Sequence, residues 1–208
     1  MANTAFGSQK PEKIAPVLEE MLRKEIGAPM PIAYQIMNAE TRSVSAQSLL
    51  SDYGRMIVGG NETPLFLLQF TLAMPRPAEL QVRVNRQGIG AHVGLLSYAA
   101  RLVKPIGSEV SLEPPKTFGA SKCIGDPQGI ARLNNNGDLL KRLNKLARTE
   151  SEVGGLKLKI ERFLKIVPQA SGSLFILNTL PRATSMGFGA TLDAKEFLDL
   201  VALVEATL

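Results

Sequence analysis

The sequence has no tryptophan, one cysteine and one histidine, and aromatic residues make up only 5% of its 208 positions. The single cysteine, Cys123, excludes an intrachain disulfide and a thiolate metal cluster. The single histidine, His92, excludes a metal site built from several histidines. The scarcity of aromatic side chains argues against a surface on which bases or sugars stack. These absences point away from metal-binding and base-stacking functions, and they fit a reducing compartment.

Long apolar segments are also missing. No stretch approaches the roughly 18 uninterrupted apolar residues that a membrane-spanning helix needs. The N-terminal residues MANTAFGSQKPEK contain no apolar run typical of a secretory signal. We therefore expect a cytoplasmic protein without a membrane span, although it could still dock peripherally on a membrane complex.

Recognisable catalytic and nucleotide-binding motifs are absent as well. Residues 88–92, GIGAH, lack the third glycine and the βαβ context of a dinucleotide loop, and we interpret them as a glycine turn. Cys123 precedes a predicted helix start, where a thiol pKa can fall, but cysteine is so often buried that we prefer a structural role. We expect no enzyme activity and no cofactor. An enzyme built on Asp52, Glu113 or Asp126 is the alternative, and no pair of these acids can be positioned from the sequence.

Secondary-structure signals are clear in much of the N-terminal half. An amphipathic helix is predicted to begin at Lys10-Pro11 and to run to Ile26. Alternation over residues 79–85 predicts a strand with Gln81 and Arg83 facing outward. Further strands are predicted over residues 32–37, 55–58 and 64–74, and the segment 43–53 is ambiguous. The apolar segment 93–103 fits either a helix or a strand, and Ala99-Ala100 favour the helix. The strands together indicate an antiparallel meander.

The clearest local signals lie between Gly125 and Lys165. Asp126-Pro127 is a strong helix start, because Asp caps free N–H groups and Pro suits the first helical position. Asn134–Gly137 should break this helix, with Asn135 or Asn136 capping a second helix that ends at Gly154-Gly155. Residues 156–166 alternate as one strand, with a bulge or register shift near Arg162.

The C-terminal segment predicts a turn over residues 168–173, a partner strand over 174–180 and a final helix that Asp193 and Glu196 start as a capping box. The predicted fold class is α+β: a mainly antiparallel sheet flanked by N- and C-terminal amphipathic helices, with a C-terminal helix-hairpin-helix half. The chain forms either a single compact domain over residues 1–208 or two halves, 10–104 and 121–208, joined by the proline-rich connector 105–120.

Basic charge is concentrated in one segment. From Lys141 to Lys165 the net charge is +5, equal to that of the whole chain. The basic residues of this segment are Lys141, Arg142, Lys145, Arg148, Lys157, Lys159, Arg162 and Lys165. They form either an ordinary solvated surface or a patch for a negatively charged partner. The loop over residues 181–189 carries Arg182 and could bind an anion through backbone amides.

The leading functional hypothesis is a non-catalytic binding or scaffold protein, an accessory subunit of a larger assembly, whose basic helix and strand face contacts an acidic partner. A nucleic-acid-binding protein that uses the same face is the alternative. The few aromatic residues, the lack of a binding motif and a basic excess of only five count against it.

Overall fold

The structure is a computed structural model, and it describes residues 10–27, 32–38, 49–50, 63–72, 77–87, 91–113, 121–153, 156–160, 163–183 and 190–208. Its elements in chain order are α1 (Pro11–Ile26), β1 (Ile32–Asn38), β2 (Thr63–Leu72), β3 (Ala78–Gln87), β4 (Ala91–Leu102), β5 (Val110–Glu113), β6 (Lys122–Gly125), α2 (Pro127–Asn135), α3 (Gly137–Leu146), β7 (Glu150–Val153), β8 (Leu156–Lys159), β9 (Leu164–Pro168), β10 (Ser173–Thr179), β11 (Arg182–Ala183), β12 (Ala190–Thr191) and α4 (Ala194–Thr207).

The fold is α+β, as predicted, with an eight-stranded antiparallel sheet in the order β1-β2-β3-β4-β10-β9-β5-β6. Three strands of the predicted N-terminal meander are confirmed as β1, β2 and β3, and β4, which was not among the predicted strands, continues it. Strand β10 then pairs with β4, from Ser173 opposite Leu102 to Thr179 opposite Leu96. One sheet therefore contains strands from both of the stretches considered as halves.

The helices pack on one face of this sheet and bury the main core. The predicted apolar stripes of α3 and α4 are confirmed: their leucines, valines and Phe197 are buried. Phe197 stacks between Tyr98 of β4 and Phe175 of β10, with ring centroids 4.6 and 5.6 Å apart. In α1, however, Val17 of the predicted stripe is 45% exposed, although Leu18 and Leu22 are fully buried.

The helix predicted over residues 93–103 is wrong, because this segment is the central strand β4. A central strand buried on both faces is apolar without alternation, so its sequence resembles that of a buried helix. Ala100 belongs to the main core, whereas Ala99 packs on the other face with Leu50, Leu174 and Ile176.

The single strand predicted over residues 156–166 is also wrong. It is two strands: β8 pairs with β7 in a separate hairpin, and β9 belongs to the main sheet between β10 and β5. Helix α3 already ends at Leu146, so Gly154-Gly155 follow β7 rather than a helix.

Two further predictions concern the connector 105–120 and the helix-hairpin-helix description of the C-terminal half. The connector 105–120 contains a strand of the main sheet, β5, and is not a plain linker in its described part. The helix-hairpin-helix description is not confirmed as such, because β7, β8, β11 and β12 accompany the β9–β10 hairpin between α3 and α4. Residues 55–58, most of 43–53 and Arg162 lie outside the described residues.

Candidate partner-binding surface

Helix α3 presents two lysines on the side opposite its buried leucines. Asn136 caps this helix by accepting a hydrogen bond from the backbone N–H of Leu139 at 3.0 Å, which confirms one of the two predicted caps. Lys141 and Lys145 are exposed and stand one helical turn apart. Within the described part of the chain, neither ammonium group has an ion-pair partner. These two charges are therefore available to a partner.

Arg148, in contrast, is tied into the protein. Its Nη2 donates to the carboxylate of Asp193 at 2.6 Å and to the carbonyl oxygen of Leu180 at 2.8 Å. The Arg148 and Asp193 side chains are only 19% and 8% exposed. This arginine joins the end of α3 to the start of α4, so its role is structural.

Arg142 and Lys165 are also ion-paired. Arg142 Nε lies 3.0 Å from a carboxylate oxygen of Glu196, and Lys165 Nζ lies 2.5 Å from one of Glu109. The hydrogen bond to Glu196 raises the pKa of the Arg142 guanidinium. The Lys165 ammonium also lies 5.5 Å from the centre of the Phe163 ring.

The two basic residues of β8 stand opposite acidic residues of β7. The register of this hairpin places Lys159 opposite Glu150 and Lys157 opposite Glu152. Because Arg142, Arg148 and Lys165 are ion-paired, the sequence segment with net charge +5 does not fold into one uniformly basic surface.

The start of α4 is capped from a distant part of the chain, which corrects the predicted capping box. Asp193 occupies the N-cap position with a left-handed backbone (φ 59°), and its side chain makes no cap hydrogen bond. Instead, the Glu25 carboxylate accepts from the N–H of Leu192 at 2.7 Å and from that of Ala194 at 2.8 Å. Glu196, the other member of the predicted box, pairs with Arg142.

A buried tyrosine lies beside this cap. The hydroxyl of Tyr98 donates to the carbonyl oxygen of Leu192 at 2.7 Å. Burial raises the pKa of Tyr98, and the negative charges of Glu25 and Asp193 act in the same direction. This phenol stays protonated and fixes the segment that leads into α4.

A row of polar side chains crosses the sheet on the face opposite the helices, and the sequence did not reveal it. Gln69, Gln81, Ser97 and Asn178 stand opposite one another in the registers of β2, β3, β4 and β10. Gln81, which was predicted to face outward, is 5% exposed and donates to Glu79. An antiparallel sheet commonly has one face in water, so the sequence pattern predicts exposed side chains at these positions rather than a buried polar row.

Two oxygens of this row are unusual. Among the described residues, Gln69 Oε1 and Asn178 Oδ1 are buried without a hydrogen-bond partner. A buried acceptor without a partner costs about 1–3 kcal/mol. The row therefore lowers stability where it is incompletely satisfied, and it marks the second face as polar at its centre.

The acids nominated for catalysis have structural partners where they are described. Asp126 accepts a hydrogen bond from the N–H of Gly129 at 2.7 Å, which confirms the predicted cap of α2. Glu113 lies 3.8 Å from the ammonium group of Lys122. Asp52 lies outside the described residues.

Cys123 is buried, as predicted, and burial raises the pKa of its thiol to about 11. A thiol with this pKa is a poor nucleophile at neutral pH. Its position before α2 therefore does not activate it.

His92 and Arg182 both lie in strands. His92 is in β4 opposite Arg86, within an antiparallel β3–β4 pair rather than a βαβ unit. Arg182 begins β11 opposite Thr191. The other loop residues predicted to bind an anion, 184–189, lie outside the described residues.

Neither a metal-binding cluster nor a membrane-spanning helix is found among the described residues. They contain no group of three or more His, Cys, Asp or Glu side chains placed to hold a metal ion. No helix among them is both long and apolar enough to cross a membrane.

We also compared the chain with protein-family models, curated proteins and solved structures, and none of the three comparisons gave a match.

Proposed function

We propose that this protein is a non-catalytic binding protein, an accessory subunit of a larger assembly, and that α3 contacts an acidic partner protein through Lys141 and Lys145. The observation that carries the proposal is the position of these two lysines on a helix anchored by four buried leucines: both are exposed, and neither has an ion-pair partner among the described residues. A rigid helix holds the two charges at a fixed separation, so little conformational entropy is lost when a partner binds. A cytoplasmic location belongs to this proposal and is supported by a sequence whose only cysteine needs no oxidising compartment.

An acidic protein fits this surface better than a nucleic acid does. Nucleic-acid binding needs a stripe of several unpaired cations along a phosphate backbone. Here Arg142 is paired with Glu196, and the carboxylates of Asp138 and Asp199 also act on its guanidinium. These acids lie near Arg142 and would repel phosphates there. A protein partner can place one or two carboxylates opposite the lysines and avoid the acids.

A double charge reversal tests the proposal. The variant Lys141→Glu/Lys145→Glu lowers the net charge from +5 to +1. A matched control, Lys13→Glu/Arg101→Glu, makes the same change at exposed basic residues of α1 and β4. A charge-preserving variant, Lys141→Arg/Lys145→Arg, separates the sign of the charge from the identity of the side chain.

Each protein is used to capture partners from native lysate at low and high salt, with and without nuclease treatment of the lysate. We expect wild type, the control and the arginine variant to retain a stoichiometric partner at low salt, and we expect the α3 reversal to lose it. High salt should weaken the complexes of wild type, the control and the arginine variant, because salt screens surface charges. The screening length is already about 8 Å at physiological ionic strength, and it shortens as salt is added. Retention by the α3 reversal, or loss of the partner with nuclease treatment, would contradict the proposal.

A further inference from the structure

The edge strand β1 lacks the devices that usually protect a sheet edge. It is at one end of the eight-stranded sheet, and within the described part of the chain it pairs with β2 alone. Its sequence, IAYQIMN, has no charged residue and no proline, and its register with β2 is continuous. Natural edges are normally protected by lysine, proline, a bulge or shortness. A seven-residue strand without these features is suited to pair with another strand.

The middle of β1 is exposed on both faces of the sheet. Four consecutive residues, 33–36, are exposed. Tyr34 and Ile36 are 37% and 42% exposed and lie on the face that carries the helices, where the Tyr34 ring contacts Phe70. The strand therefore offers both free backbone groups and apolar side chains to a partner.

We propose that β1 pairs antiparallel with β1 of a second copy of this chain. Gln35 is the central residue of the seven, so a two-fold axis at Gln35 is the register that pairs all of them. In this register Tyr34 of each copy stands opposite Ile36 of the other. An aromatic side chain opposite a β-branched one is a favourable cross-strand pair. The strand is thus self-complementary, which is what an isologous dimer interface requires.

The two-fold axis is perpendicular to the sheet, so it joins two eight-stranded sheets into one and keeps both copies of α1 on the same side. Helix α1 packs over β1 and β2 and comes close to the axis. Its exposed charges are largely neutralised within the helix by the ion pairs Glu19–Arg23 and Glu20–Lys24. The approach of two identical helices therefore meets little net repulsion.

The opposite edge strand, β6, has the protective features that β1 lacks. It has four residues and carries an exposed lysine, Lys122. It ends at Gly125, whose φ of +124° turns the chain away from a regular strand. Shortness, charge and irregular backbone protect this edge. This contrast places the second copy at β1.

Sedimentation velocity over about 1–100 µM protein tests the dimer, since this range brackets a micromolar dissociation constant. Wild type should shift from one chain to two as concentration rises. Ile36→Lys should raise the dissociation constant at least tenfold, because it places a charge on the pairing edge. Val103→Lys is the matched control, as Val103 is 80% exposed outside β1, and it should leave the constant unchanged. A monomer throughout the range, or a dimer unaffected by Ile36→Lys, overturns the proposal.

Cysteine cross-linking tests the register itself. Gln35→Cys places two thiols opposite each other with Cα atoms about 4.5–5.5 Å apart, within disulfide range. Ala33→Cys is the control: the same residue of the second copy lies about 14 Å away along the strand, and it should not cross-link. Buried Cys123 does not compete in the folded protein. Equal cross-linking of both variants, or none with Gln35→Cys, rejects this register, and a monomeric chain that instead pairs with an extended foreign peptide rejects the second copy as the occupant.

Discussion

The cap that α1 provides to α4 leads to the sharpest stability prediction. Glu25 lies in the last turn of the first helix and accepts hydrogen bonds from two backbone N–H groups at the start of the last helix. Leu192 is fully buried, and Asp193 does not replace the cap. The substitution Glu25→Ala therefore leaves two N–H groups without an acceptor, and both belong to buried residues.

The size of the effect follows from the number of bonds lost. A hydrogen bond to a charged group contributes about 1.5–3 kcal/mol net, so two of them at the lower figure give about 3 kcal/mol. That is a large part of the about 5–15 kcal/mol by which a domain is stable. At about 2–4 °C per kcal/mol for a chain of this length, Tm should fall by about 6–12 °C. Glu25→Gln keeps one acceptor and should lose about half as much.

Urea unfolding and thermal melts measure the global effect, and hydrogen exchange at Leu192 and Ala194 measures the local one. Both amides should lose protection in Glu25→Ala before the rest of α4 does. Glu20→Ala is the control, because Glu20 lies on the same helix but makes only an exposed ion pair with Lys24, and its effect should be much smaller. If Glu25→Ala is as stable as Glu20→Ala, the inferred cap contributes nothing and the reasoning is refuted.

Three further predictions concern other positions. Gly125→Ala should lower the free energy of unfolding in urea by more than about 2 kcal/mol, because the φ of Gly125 is +124° and a Cβ there would overlap the carbonyl oxygen of Glu109. At Gly137 a Cβ meets open space, so Gly137→Ala should be neutral or stabilising. Asp126→Ala should cost about 1 kcal/mol, measured by the same method, through loss of the α2 cap. The thiol pKa of Cys123 rises from 9.0 to about 11 on folding, so stability from this group is complete below pH 9 and is lost as the pH rises towards 11. At pH 10 the loss is about 1.4 kcal/mol, and it should be absent in Cys123→Ala.

Local signals predicted the helix ends that depend on local hydrogen bonds. Asp126-Pro127 and Asn136 are caps in the structure because each bond spans only three residues, Asp126 to Gly129 and Asn136 to Leu139. Strands β1, β2 and β3 were also found, since their apolar residues differ clearly from the turns around them. These features need no knowledge of what packs against them.

The errors arise where distant residues decide. Strand β4 is a strand because β3 and β10 lie on its two sides, and its own apolar sequence does not state this. The cap of α4 comes from Glu25, 167 residues before Leu192 in the chain. Gln81 is buried although alternation places it on the second face of the sheet, where Leu50 also packs, and alternation alone reveals neither.

The candidate surface shows the same division. Counting charges located the basic segment correctly, but counting could not tell which charges are paired. The partners of Arg148 and Arg142 come from the segment before α4 and from α4 itself, and the partner of Lys165 precedes β5. Only Lys141 and Lys145 could have been placed from the sequence, because helical periodicity puts them opposite the leucines of the same helix.

The positions of α3 and β1 make the two proposed interactions compatible. The helices follow the strand order: α1 packs on β1 and β2, α4 on β4, and α2 on β6, with α3 against α4 and α2. A dimer joined at β1 therefore carries its two α3 surfaces near its outer ends, on the order of 50 Å apart at about 4.8 Å per strand. Neither surface blocks the other, so a partner with repeated acidic sites could engage both copies and gain avidity that a single chain lacks. Dimerisation would then strengthen partner binding without any change in the α3 contact itself.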